Sequence, residues 1–218
     1  MLVVISWIAI AIGLLSSAVI IIDIIRHPQK MAIMNVVWPL NGWFFGPIAL
    51  IAYYKWGRIQ AKNMDIAHTR GKGAKVFVST SHCASGCSFG DAVAVPIVAL
   101  TGFTIAGTVL FAHYVMQFAL AYIFGILFQF ASIYPMNKEQ GKMHALIGAA
   151  KADTISLIAF EVGMFGWMAL VHYVLFQTPP EPTSPVYWFM MQIAMILGFA
   201  TSYPANAWLI RKGIKEAM

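Results

Sequence analysis

The sequence predicts an all-α integral membrane protein: a bundle of about six transmembrane helices, N-in/C-in, with no sizeable soluble domain. Three observations predict it. Of 218 residues, 60% are apolar and only 10% charged, less than half the roughly 25% charge of a soluble domain. The mean hydropathy is +0.75. The apolar residues also gather into runs that reach the ~20 helical residues a bilayer crossing requires.

The runs lie at 2–25, 32–54, 92–112, 115–135, 150–175 and 186–209. The first lacks a basic leader and is too long for a signal-peptide core, so it reads as a retained helix. With the second it forms an N-terminal two-helix transmembrane hairpin, 1–54. Residues 55–90 are the one sizeable polar stretch and read as a basic cytoplasmic loop, with or without a short surface helix. Residues 91–218 then form a four-helix transmembrane domain. Its first two runs are interrupted only by His113 and Tyr114, which allows either a tight turn there or one long bent helix. Its last two are separated by Thr178-Pro179-Pro180-Glu181-Pro182, which cannot continue a helix.

Orientation follows from the basic residues. With both ends cytoplasmic, 12 Lys and Arg fall inside and 2 outside, as the positive-inside rule favours. The net charge of +6 therefore orients helices and is not a nucleic-acid footprint. Tyr53, Tyr54, Trp56, Tyr187, Trp188 and Trp208 fall near run ends, where amphipathic rings favour the interface. Gly102, Gly107, Gly125, Gly163, Gly166 and Gly198 suit close helix packing or bending, in a homo-oligomer or a compact monomer. Gly71-Lys72-Gly73 is too short for a phosphate loop, so no nucleotide-driven mechanism is expected.

The densest chemistry is Ser81-His82-Cys83-Ala84-Ser85-Gly86-Cys87-Ser88-Phe89-Gly90-Asp91, which holds both cysteines of the chain. In a helix the thiols share a face on successive turns. In a loop, Gly86 and Gly90 let the backbone fold around an ion. Thiolates with imidazole suit Cu(I), with zinc as the second candidate, and a nearby helix N-terminus lowers a thiol pKa. A cytoplasmic position keeps the thiols reduced. Small apolar filler is the plain alternative.

Around these residues the sequence resembles the bacterial membrane proteins grouped as domain of unknown function 4396. The resemblance rests on His82-Cys83-x-x-Gly86-Cys87-x-x-Gly90-Asp91, Gly125-Ile126-Leu127-Phe128-Gln129 and Ala152-Asp153-Thr154-x-Ser156-Leu157. Further support comes from Gly163-Met164-x-Gly166-Trp167-Met168, Trp188-Phe189-Met190-Met191-Gln192 and Ser202-Tyr203-Pro204-x-Asn206. It runs from about residue 75 to the end. It implies a multi-pass protein of the plasma (inner) membrane and no assigned activity.

Ionisable groups at the centre of a crossing helix cost at least about 2.5 kcal/mol on insertion scales and tend to line pathways. Glu161 falls near the middle of the fifth run, with Asp153 two turns earlier. Glu161, Met164, Met168 and His172 share one helical face, and Met191 and Met195 repeat the theme in the sixth run. His113, Met116 and Gln117 form a further group. Gln129, Gln192, Asn206 and Ser156 suit hydrogen bonds between helices. Thioethers and imidazoles bind Cu(I) without a charge to desolvate, although Met at helical spacing also serves as ordinary core.

Three functions follow. The leading expectation is a metal-binding membrane protein moving Cu(I) from an outer Met/His cluster, past Glu161, to His82, Cys83 and Cys87. The others are an ion or proton channel using Asp153 and Glu161, and a thiol-redox protein cycling Cys83 and Cys87.

Overall fold

A computed structural model describes residues 1–58, 71–136, 139 and 141–216. The described residues form helices α1 (Leu2–Arg26), α2 (Met34–Phe45) and α3 (Pro47–Ala52), then α4 (Lys72–Thr101), α5 (Val109–Met136), α6 (Lys142–Leu170) and α7 (Pro185–Arg211). Single π-helical turns, Tyr53–Gly57 and Val171–Leu175, extend α3 and α6. Five helices are long and apolar enough to cross a membrane: α1, α4, α5, α6 and α7.

The second apolar run is not a sixth such helix. It breaks at Gly46, whose φ of 54° and ψ of −129° stop α2 before Pro47 opens α3. A positive φ suits glycine alone among common residues. The contacts show that the chain reverses there. Descending along α1, the α2 backbone passes Ser17 at Gly42 and Gly13 at Trp43, and Gly46 lies beside Ile12. The chain then returns: the Tyr53 hydroxyl donates to Asp23 at 2.7 Å, and Arg58 pairs with the same carboxylate at 3.1 Å. Trp38 packs edge-on against Tyr53, 5.5 Å between centroids, closing the hairpin across its own base. The 12 residues of α2 rise about 18 Å at 1.5 Å each, roughly half of a ~30 Å hydrocarbon core. The predicted two-helix hairpin is therefore one long helix with a half-depth, re-entrant helical hairpin beside it.

That reversal changes the parity of the chain. Residues 26–34 and 53–58 lie at one end of the bundle, and α4 starts there, with Trp56 against Phe77 at 4.8 Å. The closing part of α7 returns to it, where the Tyr203 hydroxyl donates to the Gly73 carbonyl at 3.3 Å. The start of α1 lies at the opposite end, because Gly13 meets Gln192 in the early part of α7. Among the described residues, five long helices put the start of α1 and the end of α7 at opposite ends of the bundle. The described Lys and Arg lie in the half of the molecule holding the end of α7.

The predicted 55–90 loop is also revised, with residues 59–70 outside the described residues. From Lys72 onward it is helix, and every residue from 78 to 88 is buried. The turn expected at His113 and Tyr114 falls instead at residues 102–108, where Ile105 and Thr108 bridge. α4 is the central helix, touching α2, α5, α6 and α7. Its glycines permit the approach of α5. A Cβ on Gly86 would sit 2.8 Å from the Gly125 Cα, and one on Gly90 would run into the Ala121 backbone. Gly163 and Gly198 do the same between α6 and α7, whereas Gly166 has no neighbour within 4 Å and does not serve packing.

Gly90→Leu should therefore lower the stability of the purified protein by about 1–3 kcal/mol or more through overpacking. Gly166→Ala should change it by less than about 0.5 kcal/mol. Thermal unfolding in detergent reads both, and equal losses would mean the α4–α5 approach is not a constraint.

Candidate functional site

A helix can carry Ser, His, Cys and Asp through a membrane only if neighbouring helices shield them from lipid. α4 meets that condition and sorts its polar groups by face. Ser81 and Ser85 turn to the re-entrant hairpin: the Asn41 amide donates to the Ser81 carbonyl at 3.3 Å, and Ser85 donates to Asn41 Oδ1 at 3.0 Å. His82 turns to α5, with Nε2 2.8 Å from the Ser132 hydroxyl. Cys83, Cys87 and Asp91, at i, i+4 and i+8, turn to α6 and α7.

The third face forms a buried polar file. At the basic end, the Lys215 ammonium donates to Asn206 Oδ1 at 2.8 Å and to Asp153 Oδ1 at 3.3 Å. Ser156 donates to the Asp153 carbonyl at 3.0 Å, and its hydroxyl lies 3.3 Å from the Cys83 thiol. One turn on, Cys87 is within electrostatic reach of Cys83, Glu161 and Asp153. Asp91 is within reach of Glu161, and Tyr187 of Asp91. Cys83, Cys87, Asp91, Asp153, Ser156 and Glu161 are all at most 2% exposed. Neither carboxylate oxygen of Asp91 or of Glu161 has a hydrogen-bond partner among the described residues.

Beyond Tyr187 the file meets a cavity of about 210 Å³ at the end of the bundle opposite the basic residues. His113, Gln117, Met168, His172 and Tyr187 line it, with Glu181 and the prolines around it at the rim. His113 and Gln117 are buried, and His113 Nδ1 and Gln117 Nε2 have no partner among the described residues.

The family model described as Domain of unknown function (DUF4396) matches residues 74–215, about two thirds of the chain. The chain belongs to this family. No curated protein and no solved structure matches it. The matched stretch holds α4 to α7 nearly whole, and with them the file and cavity from Lys215 to His172. α1 and the re-entrant hairpin lie outside it.

The structure therefore brings together some expected residues and separates others. Cys83 and Cys87 share a face with Asp153 and Glu161 beside them. His82 leaves that group for α5, so His82, Cys83 and Cys87 do not assemble as a three-ligand site. Among the described residues no three His, Cys, Asp or Glu side chains are grouped to hold a metal. The thiols also sit in the fourth and fifth turns of α4, out of range of its N-terminal dipole. Met164, Met168, Met191 and Met195 pack in the same buried cluster as both cysteines. His113, Met168 and His172 meet at the cavity, while Met116 is half-buried and not part of its lining. Asp91 and Lys215 were not among the expected site residues. Asp91 continues the Cys83–Cys87 spacing by one more turn, a signal that a helical reading of the motif would have found. Lys215 had no such signal.

Asp91→Asn and Glu161→Gln should leave the thermal stability of the protein unchanged or higher, since each replaces an unpartnered buried carboxyl by a neutral isostere. Asp153→Asn should cost about 3–5 kcal/mol by stranding the buried Lys215 charge. If all three variants lose the same stability in detergent, Asp91 and Glu161 hold structural bonds.

Proposed function

We propose that this protein carries a small cation across a membrane along the α4–α6–α7 file, with Cu(I) as its cargo. The carrying observation is that Glu161, within electrostatic reach of Cys87 and Asp91, and Asp91, on the thiols' face of α4, have all four carboxylate oxygens unpartnered among the described residues. An unpartnered buried carboxylate is costly unless it is protonated or meets a cation. The soft donors Cys83, Cys87, Met164, Met191 and Met195 in the same cluster favour Cu(I) over hard ions. In this reading His113, Met168 and His172 receive the ion at the outer cavity. Glu181 at the rim and the absence of Lys and Arg from that end among the described residues favour cations there.

The protein in this reading sits multi-pass in a plasma membrane. The end carrying the described basic residues faces the cytoplasm, with the start of α1 outside and the end of α7 inside. The re-entrant hairpin keeps its irregular tip at Gly46 against α1, as non-helical backbone at membrane depth requires. An impermeant label applied to intact cells should reach a tag before α1 and not a tag after residue 218. Labelling of both tags or of the second alone contradicts the orientation.

Copper uptake into proteoliposomes tests the transport. Asp91→Asn, Glu161→Gln and Cys87→Ser should each cut Cu(I) uptake by at least about tenfold, the effect of losing roughly 1.4 kcal/mol of ion stabilisation. Uptake that survives in all three variants removes the file as its route.

Proton conduction is the second reading, favoured by the same carboxyls and by the lack of a three-ligand group among the described residues. It requires acid-driven internal pH change without copper, lost in Glu161→Gln and kept in Cys83→Ser/Cys87→Ser. Dithiol–disulfide cycling has less support, because both thiols are free and buried, out of reach of a partner.

A further inference from the structure

The chain does not leave the bundle where α7 ends. Gly213, at φ 70°, reverses it, and the amides of Ile214 and Lys215 return to the Leu209 carbonyl at 3.1 and 3.4 Å. This one-turn hook aims Lys215 back into the protein. Every other described Lys or Arg is exposed or half-buried, whereas the Lys215 side chain is fully buried. Its ammonium meets acceptors from two helices, Asp153 Oδ1 on α6 and Asn206 Oδ1 on α7. The third wall is α4, whose Cys83 and Cys87 are within electrostatic reach of Lys215, as is His82. Ser156 bridges Asp153 to Cys83, so the ammonium sits at the basic end of the file.

Three features distinguish this corner from an ordinary ion pair. The atoms that accept from the ammonium, Asp153 Oδ1 and Asn206 Oδ1, are both oxygens, as a cation site would supply. Asp153 Oδ2 has no partner among the described residues, leaving acceptor capacity that Lys215 does not use. The ligand itself hangs on a single turn after Arg211, a kind of terminal element that opens more readily than the helices around it. A buried ion pair adds little stability over apolar packing, so stability alone gives no reason to bury this lysine here.

We propose that Asp153, Asn206 and Ser156 form an inner cation-binding site, and that Lys215 is its tethered occupant, closing the file until the hook withdraws. The site takes a monovalent cation of ammonium size or smaller. This deepens the transport reading and rests on it for its purpose, but occupancy of the corner can be read without any flux.

The test uses the full-length protein in nanodiscs with Cys87→Ser, leaving Cys83 as the one thiol. The rate at which aminoethyl methanethiosulfonate labels Cys83 is measured with Lys215 present and in Lys215→Ala. Removal of the lysine should speed labelling by about tenfold or more, as opening of a buried site does. Millimolar propylammonium should restore the slow rate by refilling the corner, and isopropanol should not. The double variant Lys215→Met/Asp153→Asn removes both charges, which guards against misfolding from a stranded carboxylate. It should label fast and gain no protection from propylammonium. An unchanged rate in Lys215→Ala, or a faster one that the amine does not slow, overturns the proposal. Copper uptake into proteoliposomes by the protein with both cysteines, with Lys215 present and in Lys215→Ala, separates the two readings. Amine-protected Cys83 without uptake supports the plug and removes the transport reading. Uptake with Lys215-independent labelling removes the plug and leaves transport standing.

Discussion

The central constraint is that a helix as polar as α4 has to be enclosed on every side. Residues 78–88 hold four serines, a threonine, a histidine, two cysteines and a glycine, and all of them are buried. In lipid each exposed hydroxyl or imidazole would lose its water partners without replacement. The remaining elements supply several of those partners: Asn41 for the Ser85 hydroxyl, Ser132 for His82 and Ser156 for Cys83. Small residues are what make the enclosure tight, since Gly86 and Gly90 let the α5 backbone close over the polar stretch.

Enclosure also accounts for the re-entrant hairpin. α2 need not cross the membrane to cover the Ser81–Ser85 face; it has to reach only as far as those residues do. Gly46 and Pro47 turn the chain at that depth, and Asp23 binds both Tyr53 and Arg58 where it re-emerges. The consequence for charge is simple. With a half-depth hairpin, Arg26 and Lys30 share an end with the other basic residues, whereas a full crossing would have put them opposite.

Enclosure creates the buried polar file as a by-product of sorting. The α4 face turned to α6 and α7 carries groups with no hydrogen-bonding neighbour to satisfy them, Asp91 above all, opposite Glu161. Packing of Met164, Met191 and Met195 around the thiols keeps the same region dry and polarisable. The cavity at His113 and the Lys215 corner then mark its two ends.

Membership of the membrane class was legible in composition, and four of the five long helices were legible as apolar runs, because lipid-facing helices must be apolar whatever their neighbours. Glu161, Met164 and Met168 were legible as one buried face by helical spacing, and Cys83 with Cys87 by the same rule. Three things were not. Serine and glycine lower hydropathy in a loop and in a shielded central helix alike, so the first turns of α4 read as loop. An apolar run of crossing length has the same composition whether it crosses or folds back at a Gly-Pro step, so the reversal at Gly46 was hidden. Lys215 looked like any basic residue flanking a last helix. The sequence by itself determined that this chain forms helices long and apolar enough to cross a bilayer and which polar and soft residues share a helical face. Only the tertiary structure decided which of them meet, because a helix assigns a side chain to a face but not to the neighbour that the face will find.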